Sequence, residues 1–205
     1  MTTKKKRRVG RDMKKFLAVL ILVVCVISVF AFSSCNGNEG PAEPAAPNER
    51  VLVVYFTWSS NTESMANYIS QKTGGTLYEL QPLVPYPKEY TPCTEVALKE
   101  RDENARPKIK DLIGSVDEYD AIFIGYPIWW HTAPMIIGTF LESFDLSGKD
   151  IYPFTQSASM NREQFENSMQ FVRDCAKGAN VHDGLFARYS DTRSIDKYID
   201  ECDLQ

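Results

Sequence analysis

The chain has 205 residues, of which 43% are hydrophobic and 24% are charged, and its formal net charge at neutral pH is −4. Residues 1–34 carry eight Lys and Arg against one Asp, so the segment from Cys35 onward has a net charge near −11. Nucleic acid repels so acidic a surface, which excludes nucleic-acid binding as the function.

The first 34 residues are typical of a lipoprotein signal peptide. Basic residues at 4–8 and 14–15 precede a run from Phe16 to Phe32 that is apolar except for Ser28, and two serines precede Cys35. A lipid on Cys35 would anchor the protein in the cell envelope, on the extracytoplasmic side of a membrane. The alternative is an uncleaved signal anchor, because about 17 apolar residues lie at the lower limit for spanning a bilayer.

Residues 35–50 are rich in Gly, Pro, Ala and Asn and are predicted to form a flexible tether. Residues 51–205 then form one domain, which is long enough to bury a sizeable core.

That domain opens on a strand, a polar loop and the start of a helix. Val51–Phe56 is apolar and β-branched, as expected of a central parallel strand that is covered on both faces. The loop from Thr57 to Thr62 offers hydroxyls, an amide and backbone N–H groups at the positive end of a helix dipole, which suits a phosphate. Neither GxxxxGK[ST] nor GxGxxG occurs, so nucleotide triphosphate and dinucleotide loops do not fit. The alternative is an ordinary Ser, Thr or Asn helix cap.

The next segment predicts a helix over 62–72, ended by Gly74–Gly75, and a strand over 76–80. Three prolines mark an extended stretch at positions 82, 85 and 87, and a short helical segment is predicted after Pro107. Four charged residues of a polar helix over 94–104 are expected to form a solvated face: Glu95, Glu100, Arg101 and Asp102.

A second buried strand begins at Ala121 and runs into a loop that holds a proline and two tryptophans, Pro127 to Trp130. Ligands of open parallel sheets lie beyond the carboxyl ends of the strands, where strand order reverses. This aromatic loop would therefore face the phosphate-type loop across one crevice and suit a flat ring. The alternative is that the tryptophans are core or interface residues.

The remainder alternates helices and strands, which predicts an α/β fold with a doubly wound parallel sheet. The expected elements are a helix over 132–143, a strand over 150–154, a helix over 161–175, a fifth strand over 181–187 and a closing helix over 194–202.

The two loops together resemble the flavodoxin-like family, in particular a branch with a T/S-W-S-x-N-T loop and a GYPIWW loop followed by TAPM. The resemblance covers nearly everything after the leader. It implies a five-stranded sheet in the order 2-1-3-4-5 and FMN as the cofactor. It also implies that the first loop holds the FMN phosphate, that the second walls the isoalloxazine ring with a stacked tryptophan, and that a loop after the fourth strand covers the far side of the ring. The cofactor-binding residues so implied are Thr57, Trp58, Ser59, Ser60, Asn61, Thr62, Pro127, Ile128, Trp129, Trp130, Ser157 and Ser159.

The sequence departs from the family pattern at two places. Ser60 replaces a usual glycine, which requires either a negative φ or a small strain. Residues 155–161 contain no glycine where the family has a glycine- and serine-rich loop, which hinders close approach of the backbone to a ring.

Three functions remain open on these residues. The first is electron transfer between protein partners, which the acidic surface favours. The second is an FMN-dependent reductase of quinones or nitro compounds, and the third is a binding lipoprotein that has lost FMN. No catalytic side chain or metal site is predicted, because the chain has only two histidines and its cysteines show no CxxC spacing. A disulfide among Cys93, Cys175 and Cys202 is left open.

Overall fold

The computed structural model describes residues 50–202 and Leu204. The predicted signal peptide, the lipidation site at Cys35 and all of the tether except Arg50 lie outside the described residues. Within the described part of the chain, no helix is both long and apolar enough to cross a bilayer.

A parallel sheet forms the centre of the domain, in the order β2-β1-β3-β4-β5, with β6 pairing with β4 as well. This confirms the predicted α/β class and the order 2-1-3-4-5. The strands are β1 (Val51–Tyr55), β2 (Thr76–Glu79), β3 (Ala121–Pro127), β4 (Asp150–Gln156), β5 (Asn180–Val181) and β6 (Leu185–Phe186).

Within residues 50–202, five helices cover both faces of the sheet, so β1 and β3 can be apolar along their whole length. On one face lie α1 and α5. On the other lie α3 and α4, and α2 packs against α3. The helices are α1 (Asn61–Thr73), α2 (Tyr90–Asp102), α3 (Met135–Glu142), α4 (Arg162–Cys175) and α5 (Thr192–Asp200).

The predicted fifth strand is wrong as a single element, because β5 and β6 are separate two-residue strands. Along the edge of β4, Ile151 O accepts from His182 N at 3.0 Å and Thr155 O accepts from Ala187 N at 3.2 Å. Pro153 lies between these two residues on the same edge and has no N–H to donate, and its carbonyl oxygen accepts from the Tyr198 hydroxyl at 2.9 Å. The hydrogen bonds that join β4 to β5 and β6 are therefore interrupted at Pro153.

The short helix predicted after Pro107 is also wrong. Residues 108–110 pair instead with the extended stretch before α2, through Leu83 N to Lys108 O and Lys110 N to Gln81 O, both at 2.7 Å. These bonds use backbone groups that a helix would need. The helix predicted from Thr94 begins four residues earlier, at Tyr90. Pro92 does not prevent this start, because a proline in the first turn of a helix costs no helical hydrogen bond.

Gly125 of β3 allows the sheet to close against Phe154 of β4. An added Cβ at Gly125 would lie 2.2 Å from the Phe154 ring, and that ring is fully buried. Only glycine fits this close approach.

We expect Gly125→Ala to destabilise the domain by about 1–3 kcal/mol, because the buried ring has no free volume into which it can move. Gly114→Ala is the matched control, since its added Cβ would meet nothing within 4 Å. Denaturant unfolding measures both variants. Equal stability of the two variants would contradict this packing argument.

Candidate functional site

The β1 loop, residues 57–62, leads from β1 into the first two residues of α1, and its hydrogen-bonding groups are largely unused. The Thr57 hydroxyl is buried and has no hydrogen-bond partner among the described residues. Ser60 stands at the N-cap position of α1, but its side chain makes no capping bond. Nor does any backbone or side-chain acceptor in the described chain receive the N–H groups of residues 58–63. The alternative of an ordinary helix cap is therefore wrong.

Ser60 adopts a left-handed conformation, with φ 61° and ψ 2°. The sequence allowed either a negative φ or a small strain at this position, and the structure shows the strain. A left-handed conformation costs a non-glycine residue about 1–2 kcal/mol. Its carbonyl oxygen accepts from both the N–H and the hydroxyl of Ser64, at 3.0 and 2.9 Å. The strain leaves the first N–H groups of α1 pointing out of the helix end, where a helix dipole favours an anion.

The aromatic turn, residues 129–132, follows β3. Trp129 and Thr132 exchange two backbone hydrogen bonds, at 2.9 and 3.0 Å. Trp130 and His131 between them have φ of 47° and 66°, so neither central residue of this two-residue turn is in its preferred conformation. The surrounding contacts must hold the turn in this shape.

The three tryptophans of the site are held in different ways. Trp129 is half-buried and meets the rings of Phe56 and Tyr86 edge-on, at 5.2 Å each. Trp130 is 40% exposed, and its indole N–H donates to Thr94 O at 2.8 Å. Trp58 is 38% exposed, and its indole N–H donates to Pro87 O at 3.0 Å.

A crevice of about 220 Å³ lies where the β1 loop, the aromatic turn and α2 meet. The strand order reverses between β1 and β3, so this is the position at which open α/β sheets hold ligands. The structure thus brings the two predicted loops together. The lining residues are Trp58, Tyr90, Cys93, Thr94, Ala97, Ile128, Trp129, Trp130 and His131.

Ser157 and Ser159 do not line this crevice. They lie in the loop after β4, which begins beside the aromatic turn because Ile128 N donates to Gln156 O at 3.1 Å. Their hydroxyls are 3.3 Å apart, and the Ser157 hydroxyl accepts from Met160 N at 3.0 Å. Met160 has a φ of 48°, so this glycine-free loop also contains a left-handed residue.

Two residues of α2 that were expected in solvent belong to the site instead. The Tyr86 hydroxyl donates to a Glu100 carboxylate oxygen at 2.6 Å, and Arg101 lies over the Trp130 ring at 5.6 Å. Burial raises the pKa of the Glu100 carboxyl, and the bond from Tyr86 opposes part of that rise. Burial and the bond to Glu100 raise the pKa of Tyr86. The polar composition of α2 hid these contacts from sequence reasoning, and no signal in the sequence linked Glu100 to Tyr86.

Cys93, Cys175 and Cys202 are free thiols. Burial raises the pKa of all three, to about 12 for Cys175 and Cys202, so the thiolate is disfavoured at each. Over residues 50–202 and 204, no group of His, Cys, Asp and Glu side chains could hold a metal ion.

Comparison with known proteins gives one family and several similar structures. The family model described as Flavodoxin matches residues 50–201. A protein from Bacteroides uniformis ATCC 8492, provisionally assigned as a flavoprotein, is 31% identical with a TM-score of 0.65, covering 75% of this chain and 99% of that chain. A second protein with the same provisional assignment, from Bacteroides eggerthii DSM 20697, is 30% identical with a TM-score of 0.63, covering 74% of this chain and 96% of its own.

A flavoprotein from Lactobacillus acidophilus NCFM, crystallised in complex with FMN, shares the fold at 24% identity and a TM-score of 0.59. That match covers 73% of this chain and 98% of the other chain. A comparison with curated protein sequences gives no significant match.

Proposed function

The chain belongs to the flavodoxin family, and from that premise we propose that it is an electron carrier held by a lipid anchor on the extracytoplasmic side of a membrane. FMN is the cofactor of this family, and electron transfer with FMN is the type of function that membership supports. The identity of the electron partner and the anchor go beyond the family.

The main support for placing the FMN phosphate at the β1 loop is that its hydrogen-bonding groups are unused. A phosphate would accept from the free N–H groups at the start of α1 and from the Thr57 hydroxyl. The loop needs no Lys or Arg, because the helix end already supplies partial positive charge. Ser59, Ser60, Asn61 and Thr62 complete the same loop.

The aromatic turn and the loop after β4 are the segments proposed to hold the ring. Pro127, Ile128 and the two tryptophans would wall it, with Ser157 and Ser159 on the loop that begins beside them. When bound, FMN supplies one- and two-electron redox chemistry, while the protein sets its potential and access.

The negative charge of the domain and the exposure of the crevice favour a protein as the electron partner. The segment from Cys35 onward has a net charge near −11, which attracts basic partners over a distance. Tyr90, Trp58 and Trp130 are 73%, 38% and 40% exposed at the rim of the crevice, so a partner can approach it directly.

Thr57→Val tests the phosphate assignment because valine keeps the shape of threonine and removes only the hydroxyl. We expect the apo-protein to gain about 1 kcal/mol of stability, since an unpaired buried hydroxyl is lost, while FMN binding weakens by about 1.5–3 kcal/mol. Riboflavin, which has no phosphate, should bind as it does to the wild type. Thermal unfolding and flavin titration are the measurements.

Thr155→Val is the matched control for stability, because the Thr155 hydroxyl is buried but already donates to Tyr126 O. It should destabilise the apo-protein. If Thr57→Val weakens FMN and riboflavin equally, the β1 loop does not hold a phosphate.

The aromatic crevice supports a second candidate function, the reduction of a small planar acceptor such as a quinone. Trp58 and Tyr90 are exposed at its rim, where a planar acceptor could stack beside the bound flavin ring. This function predicts that chemically reduced protein is reoxidised by 1,4-naphthoquinone at a rate that saturates with quinone concentration. A rate that rises linearly to the solubility limit would favour the electron carrier.

The anchor is proposed from the leader alone, through a lipid on Cys35 after cleavage behind Ser34. Durable attachment requires more than one acyl chain, which lipoprotein processing provides. We therefore expect Cys35→Ser to abolish labelling by a radioactive fatty acid and to leave the leader uncleaved. An unlabelled wild-type protein of full length in the membrane would instead support a signal anchor.

A further inference from the structure

Helix α2 is linked to both tryptophans of the aromatic turn, directly to Trp130 and through Tyr86 to Trp129, although it lies far from them in sequence. Trp130 is bound at two points, since its indole N–H donates to Thr94 O and the Arg101 guanidinium lies over its ring. An Arg101 Nη also donates to the Trp130 carbonyl oxygen at 3.4 Å. One helix thus fixes both the ring and the backbone of Trp130.

Trp129 is reached from α2 through an intermediate residue. Tyr86 packs perpendicular to Trp129, with an interplanar angle of 90°, and Phe56 packs on it at 89°. The Tyr86 hydroxyl donates to Glu100 at 2.6 Å, so the orientation of Tyr86 depends on the Glu100 carboxylate. Glu100 and Arg101 are consecutive residues, and each serves one tryptophan.

An energetic cost accompanies each of these two links. Glu100 is partly buried in the first, and the turn that holds Trp130 is strained in the second. Glu100 is partly buried, and the shift of its pKa shows that the charged form is disfavoured there. Trp130 and His131 are both left-handed, at a cost of about 1–3 kcal/mol each, and persist only because the surroundings hold them. The contacts of Thr94 and Arg101 with Trp130 are among those that hold this turn.

We propose that Glu100 and Arg101 are positioning residues for the two tryptophans, so that α2 sets how tightly the aromatic turn holds the flavin ring. Glu100 acts through Tyr86 on Trp129, and Arg101 acts directly on Trp130. The proposal rests on the function proposed above, because it assigns a ring-binding role to the aromatic turn.

The test uses Glu100→Leu, Tyr86→Phe and Arg101→Met, with Glu100→Gln as the conservative variant that retains an acceptor for Tyr86. The controls are Glu103→Gln and Lys99→Met, which break an exposed ion pair on the same helix. Near-ultraviolet circular dichroism of the apo-protein reports the tryptophan environment without any flavin. Titration with FMN and riboflavin and the midpoint reduction potential report the ring.

We expect Glu100→Leu, Tyr86→Phe and Arg101→Met to alter the tryptophan signal of the apo-protein. They should also shift the potential and weaken FMN and riboflavin alike, about three- to tenfold. Glu100→Gln should stay close to wild type in every measurement, which a purely electrostatic role for Glu100 would not produce.

Unchanged tryptophan signal, affinity and potential in Glu100→Leu and Arg101→Met would overturn the proposal. So would equal changes in the two controls. If the wild type takes up no flavin, the proposed function fails, whereas the tryptophan signal of the apo-protein still decides whether α2 positions the turn.

Discussion

The connection from β1 to α1 is the constraint on which the site depends. A buried parallel strand must turn sharply to place the following helix on the sheet, and here Ser60 makes that turn in a left-handed conformation. The turn leaves the helix without a side-chain cap and Thr57 with an unpaired buried hydroxyl. Such unmet groups destabilise a protein unless a ligand satisfies them, so the same feature that strains the fold supports the proposed phosphate site.

The aromatic half of the site is built differently, because it is held by a helix rather than by its own strand. The sheet order places the β3 loop beside the β1 loop, but it does not fix the tryptophans. Tyr86 packs on Trp129 and Arg101 lies over Trp130, and these residues approach from α2 and the stretch before it. In the proposed site, backbone dipoles would thus hold the phosphate, and side-chain packing would hold the ring.

The sequence predicted the parallel strands and the two loops, because buried parallel strands and polar helix starts have strong local patterns. The order of the strands came from the resemblance to the flavodoxin-like family and not from those patterns. It failed where a tertiary contact overrode local preference. Pro153 lies on the edge of β4 that faces β5 and β6, so it divides the predicted fifth strand into two. Residues 108–110 pair with residues 81–83 and therefore form no helix. Glu100 looked like any surface glutamate, since its partner Tyr86 lies 14 residues away. The leader was read from sequence alone.

The most direct measurement is a titration of the purified apo-protein with FMN and, in parallel, with riboflavin, followed by quenching of flavin fluorescence. We expect the apo-protein to take up FMN stoichiometrically. Riboflavin should bind more weakly, because it lacks the phosphate that the β1 loop is proposed to hold. Absence of FMN uptake would contradict it and leave a binding lipoprotein without flavin. Equal affinity for the two flavins would show that the free N–H groups at the start of α1 hold no phosphate.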